Sequence, residues 1–419
     1  MQHSNWRKSI AALTIAALAG AGASSVGANE EYPTDEVNTT GLAVTDDTVE
    51  VGILHSLTGT MAISETGSVE AEQLAIRQIN ESGGVLGRQI ETEVEDGASD
   101  WPTFAERASS LLESDDVAAV FGCWTSASRK AVLPVFEENN GLLYYPTFYE
   151  GLEASPNVFY QGQEATQQII AGLNWVHEKE NADTYYLIGS DYIWPRTSHA
   201  IARHHIENEL GAKVVAEQYF PLGHTNFRSA INQIRLKNPD VVYSIIAGDS
   251  NVSFWSQLNS AGINADNQTV LTNSVTEDEV KAIGAENVEG HYSAMKYFQS
   301  LDNPHNKEFV EEFKEMHGED SVIGDVTQAA YLGPWIWKRA VEKAESFDVD
   351  KVREAARGME FDDVPEGYVR VHEENQHLWS KLRIGQWQSD GTAEVVYESD
   401  LIEPDPFPED VDIDPDEME

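Results

Sequence analysis

Five stretches place polar and aromatic side chains directly after runs of β-branched residues, where strands should end. Cys123-Trp124-Thr125-Ser126 follows VAAVFG, Thr147-Phe148-Tyr149 follows GLLYYP, and Ser190-Asp191-Tyr192-Ile193-Trp194-Pro195 follows TYYLIG. Ala247-Gly248-Asp249-Ser250 follows DVVYSII, and Asn273-Ser274 follows TVLT. In open α/β sheets ligands bind at the carboxyl ends of strands, beside helix N-termini whose backbone N–H groups lack partners. The side chains there suit recognition more than bond-breaking. They include the hydroxyls of Thr125, Ser126, Thr147, Tyr149, Tyr192 and Ser274, the amide of Asn273, the face of Trp124, and few charges, Asp249 among them. Ser126 serves either as N-cap of the helix it opens or as a ligand hydroxyl, since both roles need the same oxygen. Each ring alone is explained equally by core packing, but recurrence at strand ends in both halves favours a cleft.

A planar, neutral amide such as urea fits this inventory. It has one carbonyl acceptor and four N–H donors, so its site needs donors at one edge, acceptors round the rest and flat walls. Ser126, Thr147, Tyr149, Tyr192 and Asp249 supply that set. An amino acid would need a cradle for its carboxylate and an acid for its ammonium, and Asp249 keeps that alternative open. Enzyme signatures are missing: no GxGxxG after a strand, GxxxxGK[ST], GxSxG, HExxH or paired CxxC occurs. The HEENQH stretch from His372 to His377 has the wrong spacing for two ligands on one helical face and lies between expected strands, which reads as a surface loop. Adjacent His204 and His205 point apart on a helix, and Cys123 reads as a small buried hydrophobe. A secreted amide hydrolase, the alternative from another class, would need a base beside Ser126 or Cys123, and none is near in sequence. No catalytic residue, metal site or cofactor is implied.

The elements that must position these residues alternate. VEVGIL, a helix from about Glu65 to Glu81, QIETEVED, a helix over 103–114, VAAVFG, a helix over 126–139 and GLLYYP form successive β-α-β units. A second set begins near Gln163: a helix over 164–178, TYYLIG, a helix after Pro195, AKVVAEQYF, helices over 225–237 and 250–262 around DVVYSII, then TVLTN. Two such sets predict an α/β protein of two doubly wound, Rossmann-like lobes rather than one very wide sheet. Helices over 304–317, 325–345 and 348–357 and antiparallel strands over 367–372, 379–387 and 393–397 complete the chain.

Residues 1–28 read as a secretory signal, with Arg7 and Lys8, an apolar stretch from Ile10 to Ala19 and a Val26-Gly27-Ala28 cleavage site. That stretch is too short to span a bilayer. The single cysteine, Cys123, lies far from the cleavage site, so neither a lipid anchor there nor an internal disulfide is expected. The expected product is a periplasmic protein without stable membrane insertion. A formal charge of −45 repels nucleic acid and anionic lipid, and an acidic surface of this kind suits a halophilic source, where salt screens it. Residues 29–47 read as a linker or ordered coil, and the acidic, Pro-rich tail over 401–419 as loosely held.

Eight segments carry a family resemblance: VGILHSLTGTMAISE, INESGGVLGR, FGCWTSASRKAVLPVFEE, LLYYPTFYEG, SPNVFYQGQEATQQ, YLIGSDYIWPR, GHTNFRSAI and SAMKYFQSLDNP. Through them the chain, from about residue 49 to 400, resembles the urea and short-chain amide binding proteins of the branched-chain amino-acid receptor group. The resemblance implies a type I periplasmic binding fold, two lobes joined by a three-segment hinge, and delivery of the ligand to an ABC permease. Its crossings fall near 161–164, 289–295 and 364–370. The first lobe then takes 48–162 plus about 292–345, and the second 163–291 plus about 346–400. Position by position, it places Ser126, Thr147, Tyr149 and Tyr192 on the ligand amide. Short-chain aliphatic amides and branched-chain amino acids are the rival ligands within the class.

Overall fold

A computed structural model describes residues 31–409 together with 411, 413 and 415. The expected signal segment over 1–28 lies outside the described residues. A short helix α1 (Thr34–Val37) precedes β1 (Thr48–His55), α2 (Ala62–Glu81), β2 (Gln89–Asp96), α3 (Trp101–Glu113), β3 (Val120–Gly122), α4 (Ser126–Asn139), β4 (Leu143–Tyr145) and β5 (Val158–Tyr160). The second set comprises α5 (Ala171–Glu180), β6 (Thr184–Ser190), α6 (Ile193–His204), β7 (Lys213–Phe220), α7 (Arg228–Lys237), β8 (Val241–Ile245), α8 (Ser250–Ser260), β9 (Thr269–Thr272), α9 (Glu277–Ile283), α10 (Ala285–Val288) and β10 (Tyr292–Met295). Then follow α11 (Pro304–His317), α12 (Asp325–Ala344), α13 (Val349–Ala356), β11 (Glu360–Phe361), β12 (Val369–Val371), β13 (Leu378–Trp387) and β14 (Ala393–Ile402).

Local chemistry sets these boundaries. Asp100 caps α3 by accepting Thr103 N–H, and Asn303 caps α11 by accepting Asn306 N–H, each with proline in the first turn. The first sheet is parallel with order β2-β1-β3-β4-β5. The second runs β11-β12-β13-β10-β9-β8-β6-β7, with β14 on β13. Strand order reverses beside β1 and beside β6, so the carboxyl ends of β1 and β3 in one lobe and of β6 and β8 in the other open onto the crevice between them. Two doubly wound lobes are what the alternation predicts, and their arrangement is the type I periplasmic binding fold that the resemblance implies.

The lobe boundaries differ from those expected. The strand at 292–295 hydrogen-bonds to β9 and β13 in the second sheet, so the chain crosses after Met295. The α13 residues Val349 and Val352 pack in the first lobe's core with Trp337 of α12, which returns α13 to that lobe. Phe361, Val364, Val369, Val371 and Leu378 share the same core, whereas Leu382 and Ile384 belong to the second, so the third crossing lies inside β13.

Both ends of the described chain are also better held than their composition implies. Arg88 binds the Tyr32 and Thr45 carbonyls and the Thr34 hydroxyl, strapping the N-terminal segment to the first lobe. Past β14, Pro404 and Pro406 are buried, and the Pro406 carbonyl accepts Leu152 N–H at 2.8 Å. The HEENQH stretch is no surface loop at its end: His377 is fully buried, with Nδ1 on the Asn375 carbonyl at 2.8 Å and its ring 4.2 Å from that of Tyr160.

Candidate functional site: the seam between the lobes

The end of β1 brings His55 and Ser56 against one face of α2. Glu65 Oε2 accepts Ser56 N–H at 2.7 Å and lies 3.4 Å from His55 Nδ1, while His55 Nε2 meets Glu72 Oε1 at 3.0 Å. All three side chains are fully buried. Burial disfavours the imidazolium, but Glu72 and Glu65 outweigh it and raise the His55 pKa to about 9, which holds the ring charged at neutral pH.

The end of β3 must pass very close to β1. A Cβ on Gly122 would sit 2.1 Å from the Leu54 carbonyl oxygen, so only glycine fits there. The chain then turns through Cys123, at φ 64°, into α4. Cys123 is buried, and burial pushes its thiol far above the ordinary range, in keeping with a packing role. The N-cap is Thr125, whose Oγ1 accepts Ser128 N–H at 3.0 Å. That releases Ser126 from capping: its hydroxyl donates to Glu150 Oε2 at 2.6 Å and receives Arg129 Nη1 at 3.1 Å. The Arg129 guanidinium also contacts Glu153 Oε1 at 2.8 Å and Glu150 Oε1 at 3.2 Å, and lies 4.4 Å from the Tyr149 ring centroid.

Across the seam, Trp194 meets Trp124 edge-on with centroids 5.8 Å apart and sits 5.4 Å from Phe148. Asp249 N–H donates to the Thr60 carbonyl at 3.2 Å, and the Ser64 hydroxyl to Glu279 Oε1 at 2.6 Å. Both bonds join the lobes, which are closed. Polar atoms buried without a hydrogen-bond partner near the strand ends include Glu65 Oε1, Trp124 Nε1, Thr147 Oγ1, the Tyr192 hydroxyl, Ser250 Oγ and both amide atoms of Asn273. Burial, then Tyr145, Glu150 and Glu65, push the Tyr192 phenol well above its usual pKa. The phenol is therefore a protonated donor within electrostatic reach of first-lobe acids. An unpaired buried polar group costs about 1–3 kcal/mol, so these strand-end atoms are the candidate ligand contacts.

The residues singled out from sequence divide accordingly. Trp124, Thr147 and Tyr192 present unpartnered atoms, whereas the Ser126 hydroxyl is taken up by Glu150 and Arg129 within the first lobe. Thr125 is occupied as a cap, and Ser274 bonds Thr272 Oγ1 through both hydroxyl and N–H at 3.2 Å. Asp249 is solvent-exposed and meets the other lobe through its backbone. The Tyr149 hydroxyl is held between the Glu153 carbonyl and His377 Nε2, away from the unpartnered set. Sequence reasoning passed over Glu65, His55, Arg129 and Glu150. An acid near the start of a helix reads as ordinary dipole pairing, and the Arg129 network joins residues with no periodic spacing.

Two doubly wound lobes, linked by three crossings and closed over buried, unpartnered polar atoms, define the class of two-lobed solute-binding proteins. The chain belongs to the periplasmic binding protein domain family, whose profile matches residues 49–412. It is similar to Leu/Ile/Val-binding protein homolog 8 of Brucella abortus, 25% identical over 376 residues, 83% of this chain and 90% of the relative. It is also similar to the leucine-, isoleucine-, valine-, threonine-, and alanine-binding protein of Pseudomonas aeruginosa, 24% identical over 354 residues, 84% and 92% of the two chains. A solved Rhodopseudomonas palustris solute binding protein in complex with 4-hydroxybenzoate superposes with TM-score 0.77 at 20% identity, covering 84% of this chain and 97% of that one. This family binds solutes and is not one of enzymes. Among the described residues no helix is long and apolar enough to cross a membrane.

Proposed function

We propose that the protein captures urea between its lobes in the periplasm and delivers it to the permease of an ABC importer. The observation that carries this reading is the chemistry of the unpartnered set. Trp124 Nε1 and the Thr147 and Tyr192 hydroxyls are free to donate to a ligand carbonyl, and Glu65 Oε1 is free to accept an N–H. Closure follows because a solute touching both lobes favours the form in which both contacts exist.

The relatives' names point to amino acids, and that of the R. palustris structure to an aromatic acid. The charge balance favours a neutral guest instead. The acids Glu65, Glu72, Glu150 and Glu153 surround His55 and Arg129, with Lys130 also 3.9 Å from Glu153 Oε2, and all three cations are already engaged with those acids. A ligand carboxylate would enter an acidic wall without an available counter-charge.

Titration calorimetry with urea, acetamide, leucine and 4-hydroxybenzoate tests the reading. Binding of urea, with leucine and 4-hydroxybenzoate silent, is the expected outcome. Silence towards urea at millimolar concentration together with binding of leucine would refute it. Ammonia release from urea would show a hydrolase instead.

A further inference from the structure

Resting on that reading, we infer that Glu65 is the specificity-determining residue of the seam, its free carboxylate oxygen reading the second amino group of the ligand and so selecting a diamide over a monoamide. The carboxylate is divided in its duties. Oε2 holds the turn after β1 by accepting Ser56 N–H at 2.7 Å and lies against His55. Oε1 is buried with no hydrogen-bond partner on a side chain that is itself 0% exposed. A buried carboxylate oxygen without a donor is among the costlier groups to retain; Glu72 Oε2 and Glu277 Oε2 share that state, and what sets Glu65 apart is its place beside the residues that join the lobes.

Its surroundings place that atom at the seam. Ser64, the preceding residue, bonds Glu279 of the second lobe, and Thr60, just before α2, accepts the Asp249 N–H. Glu65 also lies within electrostatic reach of Cys123 at the end of β3 and of the Tyr192 phenol from the opposite lobe. His55, charged and held by Glu72, lies against Glu65 Oε2 and leaves Oε1 free.

The donors on the other residues satisfy a carbonyl oxygen, which urea and acetamide both have. They differ in the group on the far side of that carbonyl: urea carries a second amino group, acetamide a methyl. With acetamide bound, the free oxygen of Glu65 would be sealed in beside a methyl group, and a site built to pair a hydrogen-bonding group discriminates strongly against the analogue lacking it. Charge-assisted bonds of this type correspond to roughly a ten- to hundredfold preference.

The test is calorimetric titration of the full-length secreted protein and its Glu65→Gln variant with urea and with acetamide, with thermal unfolding recorded for both. Glutamine has the same shape. Ser56 N–H demands its oxygen, so its amino group faces the ligand and meets urea donor to donor. The expected result is a urea-over-acetamide preference of about ten- to hundredfold in the wild type that falls to within about threefold in Glu65→Gln. Should the variant not fold, the wild-type ratio decides alone, and a ratio near one overturns the inference. Urea binding with a preference that survives Glu65→Gln overturns the role of Glu65 while leaving the urea reading intact. A wild type that binds neither amide overturns both.

Discussion

Replacing Tyr192 by phenylalanine separates a ligand contact from a structural one. The ring would keep its place 6.3 Å from Trp194, and only the hydroxyl would go. That hydroxyl has no hydrogen-bond partner in the protein, so its removal breaks nothing and relieves a buried polar group. Unfolding stability without ligand should stay level or rise by up to about 1–3 kcal/mol. Affinity should move the other way: one neutral hydrogen bond, about 0.5–1.5 kcal/mol, weakens urea binding roughly 2- to 13-fold. Tyr149→Phe gives the opposite signature, because its hydroxyl is bonded to the Glu153 carbonyl and to His377. There stability should fall by about 1–3 kcal/mol with little direct change in affinity. Thermal unfolding of the ligand-free variants, paired with calorimetric titration of each, reads both quantities. The reasoning fails if Tyr192→Phe binds urea as the wild type does, or if it loses stability while Tyr149→Phe does not.

Arg129→Met leaves Glu150 and Glu153 buried without their counter-charge, and should cost about 3–5 kcal/mol in thermal unfolding; a loss below 1 kcal/mol would speak against the network. Gly248 has φ 63°, and a Cβ there would lie 2.6 Å from the Thr60 carbonyl oxygen across the seam. Gly248→Ala should hold the lobes apart, weakening urea binding roughly tenfold or more, with small-angle scattering showing no compaction on adding urea; normal compaction would contradict this. At the same interface, Asp278 of the second lobe accepts Thr327 Oγ1–H at 2.9 Å, and burial pushes Glu277 up to about 8 and Asp278 up to about 7. Carboxyls raised in the fold stabilise fully below their unfolded pKa near 4, and that stability is lost as pH climbs through the raised values. The thermal midpoint should therefore fall between pH 5 and pH 8, and Glu277→Gln should flatten part of the slope; an equal slope in the variant would contradict the assignment.

The alternation of apolar strands with helical patterns made both lobes legible, and the helices at 126–139 and 304–317 fall where the pattern places them. The third crossing was not legible, because β13 is one continuous strand whose start completes the first lobe's core and whose end joins the second. Periodicity reports burial, not which core does the burying. The tail misled for a related reason: acidic, Pro-rich composition signals weak self-association, yet Pro404 and Pro406 pack against a neighbouring loop that composition cannot name. At the candidate site, the strand-end rule singled out Trp124, Thr147 and Tyr192, whose polar atoms the fold leaves unpartnered. It also reached Tyr149, two residues past Thr147, whose hydroxyl turns to His377 instead. Glu65 escaped because it lies on a helix after the strand has ended, and only the folded chain distinguishes its free oxygen from its bonded one.

The most direct test is a crystal structure of the protein grown with millimolar urea. The account predicts urea sealed between Trp124 and Tyr192, its carbonyl oxygen within hydrogen-bond distance of Trp124 Nε1 and an amino group on Glu65. A carboxylate-bearing solute retained in that place, or urea absent from it, would contradict the account.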